Sequence, residues 1–185
     1  MKLMFASDIH GSLSACRRVL ERYDLEKADR LLLLGDLLYH GPRNALPDAY
    51  NPQGVIALLN ERRDALLCVR GNCEAEVDQM VLHFPVMADY MLLPLFTPDG
   101  RERTAFVTHG HLYNLSQLPP HKAGDLLIHG HTHVPCIQEQ DGVTYINPGS
   151  AALPKEGSPH SYMICDAGVI SLKTLEGETI RTYAL

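Results

Sequence analysis

The sequence predicts an α/β protein of two mixed β-sheets packed face to face, with helices outside. Three observations predict it. Short apolar runs alternate with helical patterns over residues 1–82. Strand-like runs separated by turn signals dominate from residue 85 onward. The early runs each stop at a polar cluster containing Gly. Alternation of strand and helix implies βαβ units and a parallel sheet, while hairpin-like spacing implies antiparallel additions.

The elements follow in order. Leu3 to Ala6 is a buried strand that stops at Ser7-Asp8-Ile9-His10-Gly11. Ser12 to Tyr23 is a helix with apolar Leu13, Cys16, Val19 and Leu20 and an N-cap at Ser12 or Ser14. Leu31 to Leu34 is a strand ending at Gly35-Asp36. Tyr39 to Gln53, rich in Pro and Asn, is a long loop. Gly54 to Glu61 is helical, and Leu66 to Val69 is a strand ending at Arg70-Gly71-Asn72-Cys73-Glu74. Glu74 to Leu82 begins acidic, as a helix N-terminus prefers, and is expected to bury Val77 and Val81. Strands are then expected at Pro85 to Leu95, Thr104 to Thr108, Leu126 to Ile128, Val134 to Gln138, Val143 to Ile146, Tyr162 to Ile164, Val169 to Leu175 and Thr179 to Tyr183. Pro98-Asp99-Gly100, Asp141-Gly142 and Glu176-Gly177 supply turns.

The chain has 185 residues, which suits one domain spanning 1–185. A chain of this length buries about 70% of its unfolded surface. No apolar run approaches the ~20 residues of a membrane helix, and the N-terminal run meets Asp8 at once, so a cytoplasmic location without a membrane partner is expected. Lys and Arg number 16 against 22 Asp and Glu, a formal net charge of −6 with no basic stripe. Duplex nucleic acid is therefore disfavoured as an obligate partner. Five cysteines without a CxxC pair read as reduced thiols, and all but Cys73 as core residues.

Histidine is the unusual residue. The chain has ten, and His109, His111, His121, His129, His131 and His133 crowd one 25-residue stretch. Ligands of open α/β sheets gather beyond the carboxyl ends of strands. If those ends converge, Asp8, His10, Asp36, Asn72, His109, His131 and His133 meet on one edge. Seven oxygen and imidazole donors exceed the three that one catalytic zinc needs, so two divalent ions fit better. Mn is expected first, with Fe, Co, Ni or Zn accepted by the same donors. Two ions leave the site cationic against Asp8 and Asp36, which favours a phosphate ester. Asn72 alone would equally suit a left-handed turn after Gly71. His129 reads as structural and His121 as a loop residue.

The motifs Asp8-x-His10-Gly11, Gly35-Asp36, Gly71-Asn72-Cys73-Glu74, His109-Gly110-His111 and Gly130-His131-Thr132-His133 resemble, in family order, the five motifs of the calcineurin-like metallophosphoesterases. The likeness is greatest to the family's small bacterial and archaeal phosphodiesterases and extends through His40 to Pro47 and Asn147 to Ser150. The resemblance implies a four-layer α/β/β/α sandwich. It implies that Asp8, His10, Asp36 and His133 hold one metal and that Asp36, Asn72, His109 and His131 hold the other, with Asp36 bridging. The implied reaction is hydrolysis of a small phosphodiester or nucleotide-like substrate by a hydroxide between the ions. Many family members carry His where this chain has Cys73, and that His is thought to protonate the leaving group. A thiol is a poorer general acid, so good leaving groups are favoured, or His111 or His40 donates the proton. Arg43 and His40 are expected to touch substrate. Competing readings are a phosphomonoesterase, a nuclease of the double-strand-break repair type, and a non-catalytic scaffold like the retromer subunit of this fold. Self-association through an exposed strand or apolar patch is also expected.

Overall fold

The computed structural model describes residues 1–185. Strand β1 (Leu3–Ala6), helix α1 (Leu13–Glu26), β2 (Arg30–Leu33), α2 (Pro52–Glu61), β3 (Leu66–Cys68) and α3 (Glu76–Val81) form the first half. Strands β4 (Tyr90–Phe96), β5 (Glu102–Thr108), β6 (Leu126–Ile128), β7 (Cys136–Gln140), β8 (Val143–Asn147), β9 (Ser161–Asp166), β10 (Val169–Thr174) and β11 (Thr179–Ala184) follow. The first sheet has the order β11-β10-β9-β1-β2-β3, and the second β4-β5-β6-β8-β7. Both are mixed. β1, β2 and β3 run parallel, as do β5, β6 and β8, while β9 is antiparallel to β1 and the hairpins β4–β5, β7–β8, β9–β10 and β10–β11 are antiparallel.

The apolar runs split by parity. Leu3 and Phe5 of β1, and Leu32 in β2, face Val107, Ile128 and Ile146 of the second sheet. Met4, Ala6, Leu31 and Leu33 face Cys16 and Val19 of α1 and Val55 and Leu59 of α2. A strand covered on both faces has no room for a polar residue, hence runs such as Leu31 to Leu34. Ser12 is the N-cap of α1, accepting from the Ala15 backbone N–H at 3.2 Å. Asn51 caps α2 in the same way from Gly54, with Pro52 in the first turn.

Three expectations are corrected. The strand expected from Pro85 begins at Tyr90, because residues 82–87 turn Leu82, Phe84 and Val86 into the helix-side core. Helix α3 starts at Glu76, and Val77 and Val81 are exposed rather than buried. The thiol expected in the core at Cys136 is only partly buried. The fourth layer also differs in kind. The outer face of the second sheet, with Leu127, Val143 and Tyr145, is covered by Leu115 and Leu118 of a loop, not by a helix. No helix is long and apolar enough to cross a membrane.

Candidate metal centre

The carboxyl ends of β1, β2, β3, β5 and β6 meet on one edge of the sandwich, and the polar clusters sit there. The Asp36 carboxylate from β2 lies 3.5 Å from His109 Nε2 behind β5. Asp8 Oδ1 from β1 lies 3.3 Å from His133 Nε2 behind β6. The two sheets thus each supply part of one cluster. Its donor atoms form overlapping groups, Asp8–His10–His133, Asp8–Asp36–His109 and His10–Asp36–Cys73, each within 4.8 Å internally. Asn72 and His131 join at the His109 side, where Asn72 Oδ1 is 3.1 Å and His131 Nδ1 3.2 Å from His109 Nε2. All seven donors expected to converge do so.

Sharp turns aim these side chains. Asp8, His10, Asp36, His131 and His133 all have φ between +49° and +66°. That region costs a non-glycine residue about 1 kcal/mol or more, so surrounding contacts must enforce it. Glu74 is one enforcer. Its buried carboxylate accepts the backbone N–H groups of Asp36 (2.8 Å), Leu37 (2.7 Å) and Gly71. Ser150 Oγ donates to the Asp8 carbonyl at 2.9 Å, and the Asn147 amide donates to Gly130 O and Thr132 Oγ at 2.7 and 2.9 Å. Gly130 is obligatory for space, since an added Cβ would sit 1.9 Å from Ser7 Oγ. Asn72 is not left-handed, so the turn reading of that residue gives way to its amide facing His109.

The tautomers are set from behind. His10 Nδ1 faces Tyr39 O at 2.8 Å, His109 Nδ1 faces Leu34 O at 2.7 Å, and His133 Nδ1 faces Leu153 O at 2.5 Å. A carbonyl only accepts, so each Nδ1 carries the proton and each Nε2 presents a lone pair inward. His10 and His133 then point lone pairs at each other across 3.4 Å. Asp8 Oδ1, 3.6 and 3.3 Å from them, is buried without a hydrogen-bond partner. Lone pairs and an anionic oxygen converging in a buried space favour positive charge among them, a proton or a metal ion. Nitrogen and oxygen donors of this kind fit divalent Mn, Fe, Co, Ni or Zn. The titration behaviour agrees. Burial opposes charge on Asp8, yet the nearby His10, His133 and His109 rings hold its carboxyl well below the usual range. Burial likewise disfavours a charged His10, but the Asp8 carboxylate raises it overall. Burial and the neighbouring His109 push His131 down to about 4, leaving a neutral ligand-ready ring.

A cavity of about 460 Å³ opens over the cluster. His10, Asp36, Asn72, His131 and His133 line its floor, and Arg43, Asn44, Cys73, Thr132 and Lys155 its walls. Two expected residues are not among the lining. His40 packs between Tyr39 and Tyr50, with ring centroids at 4.8 and 5.4 Å. His111 lies behind the cluster, 5.4 Å from His109 and 6.4 Å from His131. Burial and His109 lower the His111 pKa. Burial and the Asp36 carboxylate push the Cys73 thiol far up, so it is protonated. His129 is buried against Tyr145, as its structural reading expected.

The sequence of the calcineurin-like phosphoesterase superfamily domain matches residues 1–168. The chain belongs to that superfamily. It is 47% identical over 180 residues to phosphodiesterase YfcE of Escherichia coli K12, covering 97% of this chain and 95% of the relative. A solved structure of YfcE, described as a phosphoesterase from E. coli, superposes with a TM-score of 0.93 at 46% identity, covering 100% and 99% of the two chains. Vacuolar protein sorting 29 from Cryptosporidium parvum shares the fold, with a TM-score of 0.61 at 18% identity, covering 100% of this chain and 98% of that one. Sequence reasoning assigned no role to four residues of this site: Glu74, Asn147, Ser150 and Lys155. The first three are buried polar groups bonded to backbone. Glu74, Asn147 and Ser150 stand inside segments already singled out, which was the available signal; Lys155 carried none.

Proposed function

We propose that the protein is a binuclear, metal-dependent phosphodiesterase. The observation that carries the reading is the convergence of three inward Nε2 lone pairs with Asp8 and Asp36. Asp8, His10, Asp36 and His133 would hold one ion. Asp36, Asn72, His109 and His131 would hold the other, with Asp36 shared. Mn is the ion proposed first. When bound, the ions supply an activated water and an electrophilic clamp on the phosphoryl oxygens. The chain does the rest. Glu74 and Ser150 fix the turns that carry Asp8 and Asp36. The carbonyls of Tyr39, Leu34 and Leu153 take the Nδ1 protons and so turn the Nε2 atoms toward the ions. Cys73 stands on the cavity wall as a neutral thiol, a weak acid for an alkoxide, so esters with good leaving groups turn over fastest. Identity to a protein named a phosphodiesterase supports the diester preference. Five unpaired thiols support a reducing, cytoplasmic location.

The test is stripping of metal, Mn²⁺ add-back and hydrolysis of bis-p-nitrophenyl phosphate against p-nitrophenyl phosphate, with Asp36→Asn as control. The expected result is metal-dependent cleavage of the diester, weak on the monoester and absent in Asp36→Asn. No turnover of either ester with Mn, Fe, Co, Ni or Zn would refute the reading.

A further inference from the structure

We infer that the substrate is a phosphodiester bearing a second anionic group on a small, non-aromatic alcohol, and that Lys155 and Arg43 are the residues that select it. The inference rests on the phosphodiesterase reading and narrows its substrate class.

Charge is the first argument. Once ions occupy the floor, the scissile phosphate has its counter-charge there. The walls nevertheless carry two further cations, Arg43 and Lys155, from separate loops. Neither forms an ion pair with any carboxylate of the chain, unlike Arg18, Arg62, Arg70 and Lys173. A diester with two neutral arms offers them only the phosphoryl oxygens that the floor already faces.

Backbone placement is the second. Arg43 lies in a turn from Gly41 to Asn44, closed by Asn44 N–H to Gly41 O at 3.3 Å, and the Asn44 amide donates to His40 O at 2.8 Å. Lys155 opens a turn closed by Ser158 N–H to Lys155 O at 3.0 Å, with Glu156 and Gly157 left-handed. The Lys155 N–H donates to the carbonyl of His133 at 3.3 Å. This bond ties the lysine to the same residue whose ring faces Asp8. Both cations are therefore held over the cluster by local hydrogen bonds rather than carried on open coil.

The third argument is the wall itself. Its 12 lining residues include Cys73 and Pro42 but no aliphatic side chain and no Phe, Tyr or Trp. With its imidazoles turned to the cluster, the cavity offers a nucleobase or another aromatic arm no Phe, Tyr or Trp face to stack on. A polar arm ending in phosphate or carboxylate finds a guanidinium fork and an ammonium.

The test uses p-nitrophenyl diesters that share the leaving group and differ in the second arm, ethyl against 2-carboxyethyl and 2-phosphonoethyl, with the Mn²⁺-loaded full chain at low salt. The expected result is a kcat/KM for the anionic arms about tenfold above ethyl, the size of one partly exposed charge-assisted contact. The preference falls through KM toward parity in Lys155→Gln and Arg43→Gln and reverses in Lys155→Glu. Added salt erodes it. Turnover of all three esters without preference for the anionic arms, or a preference that survives both substitutions, overturns the inference and leaves the phosphodiesterase reading intact. No turnover of any of them overturns the reading beneath it.

Discussion

Glu74 offers the sharpest test of how the site is built. It touches no substrate position, yet its carboxylate takes the N–H groups of Asp36, Leu37 and Gly71. Glu74→Ala leaves three buried donors without a partner. Each costs about 1–3 kcal/mol when truly unpaired. Two effects reduce the sum. Water from the neighbouring cavity can reach the vacated space, and loss of the anion relieves its repulsion with Asp36, which together with burial raises the Glu74 carboxyl pKa. A net loss of about 2–4 kcal/mol remains, or roughly 5–15 °C in Tm for a domain of this size. Glu74→Gln keeps one acceptor oxygen but turns an amide donor toward a backbone N–H, so it falls between native and alanine. Thermal unfolding of the metal-free proteins by circular dichroism reads the effect. Calorimetric Mn²⁺ titration reads the second consequence, an affinity lowered about 10- to 100-fold through the misplaced Asp36 turn. A Glu74→Ala protein with native Tm and native affinity would refute the claim that this carboxylate shapes the β2 and β3 turns.

Two further outcomes are expected. Gly130→Ala places a Cβ 1.9 Å from Ser7 Oγ and 2.7 Å from Asp8 Oδ2, so the β1 and β6 turns must part; metal affinity falls sharply, and a native titration curve would contradict the packing. Burial works against ionised Glu26, but hydrogen bonds from Lys173, Lys2 and Tyr162 lower its pKa to about 2. A carboxyl depressed in the folded state contributes stability above its unfolded pKa and loses it as pH falls through the folded value. The stability gap between native protein and Glu26→Gln, measured in urea, is therefore present above about pH 5 and closes between there and pH 2; a gap constant across that window would show that the Lys173 and Lys2 pairs contribute nothing.

Much of the site was legible because its information is local. A buried strand needs a run of apolar residues, and the turn that leaves it needs Gly and short polar residues. Asp8, His10, Asp36, Asn72, His109, His131 and His133 therefore stood out as chemistry placed at strand ends. Helix limits were less legible. Val77 and Val81 match a helical repeat, but only the path of residues 82–87 determines whether that face is covered, and it is not. His40 and His111 were chosen by residue type next to motifs; where the rings point depends on Tyr39, Tyr50 and His109 packing around them.

The order of strands, the ligand-type residues at their ends and the near absence of basic patches are properties of the chain read along its length. Tertiary structure alone decided which ends face each other across two sheets, bringing Asp36 to His109 and Asp8 to His133. It also decided that carbonyls more than 20 residues away in sequence set the His10 and His109 tautomers, and that Lys155 leans over the cavity while His40 does not. The physical reason is range. Propensity and patterning act over a few neighbours, whereas a lone pair, a buried carboxylate or an unpaired cation acquires its meaning from atoms that only folding brings within a few ångströms.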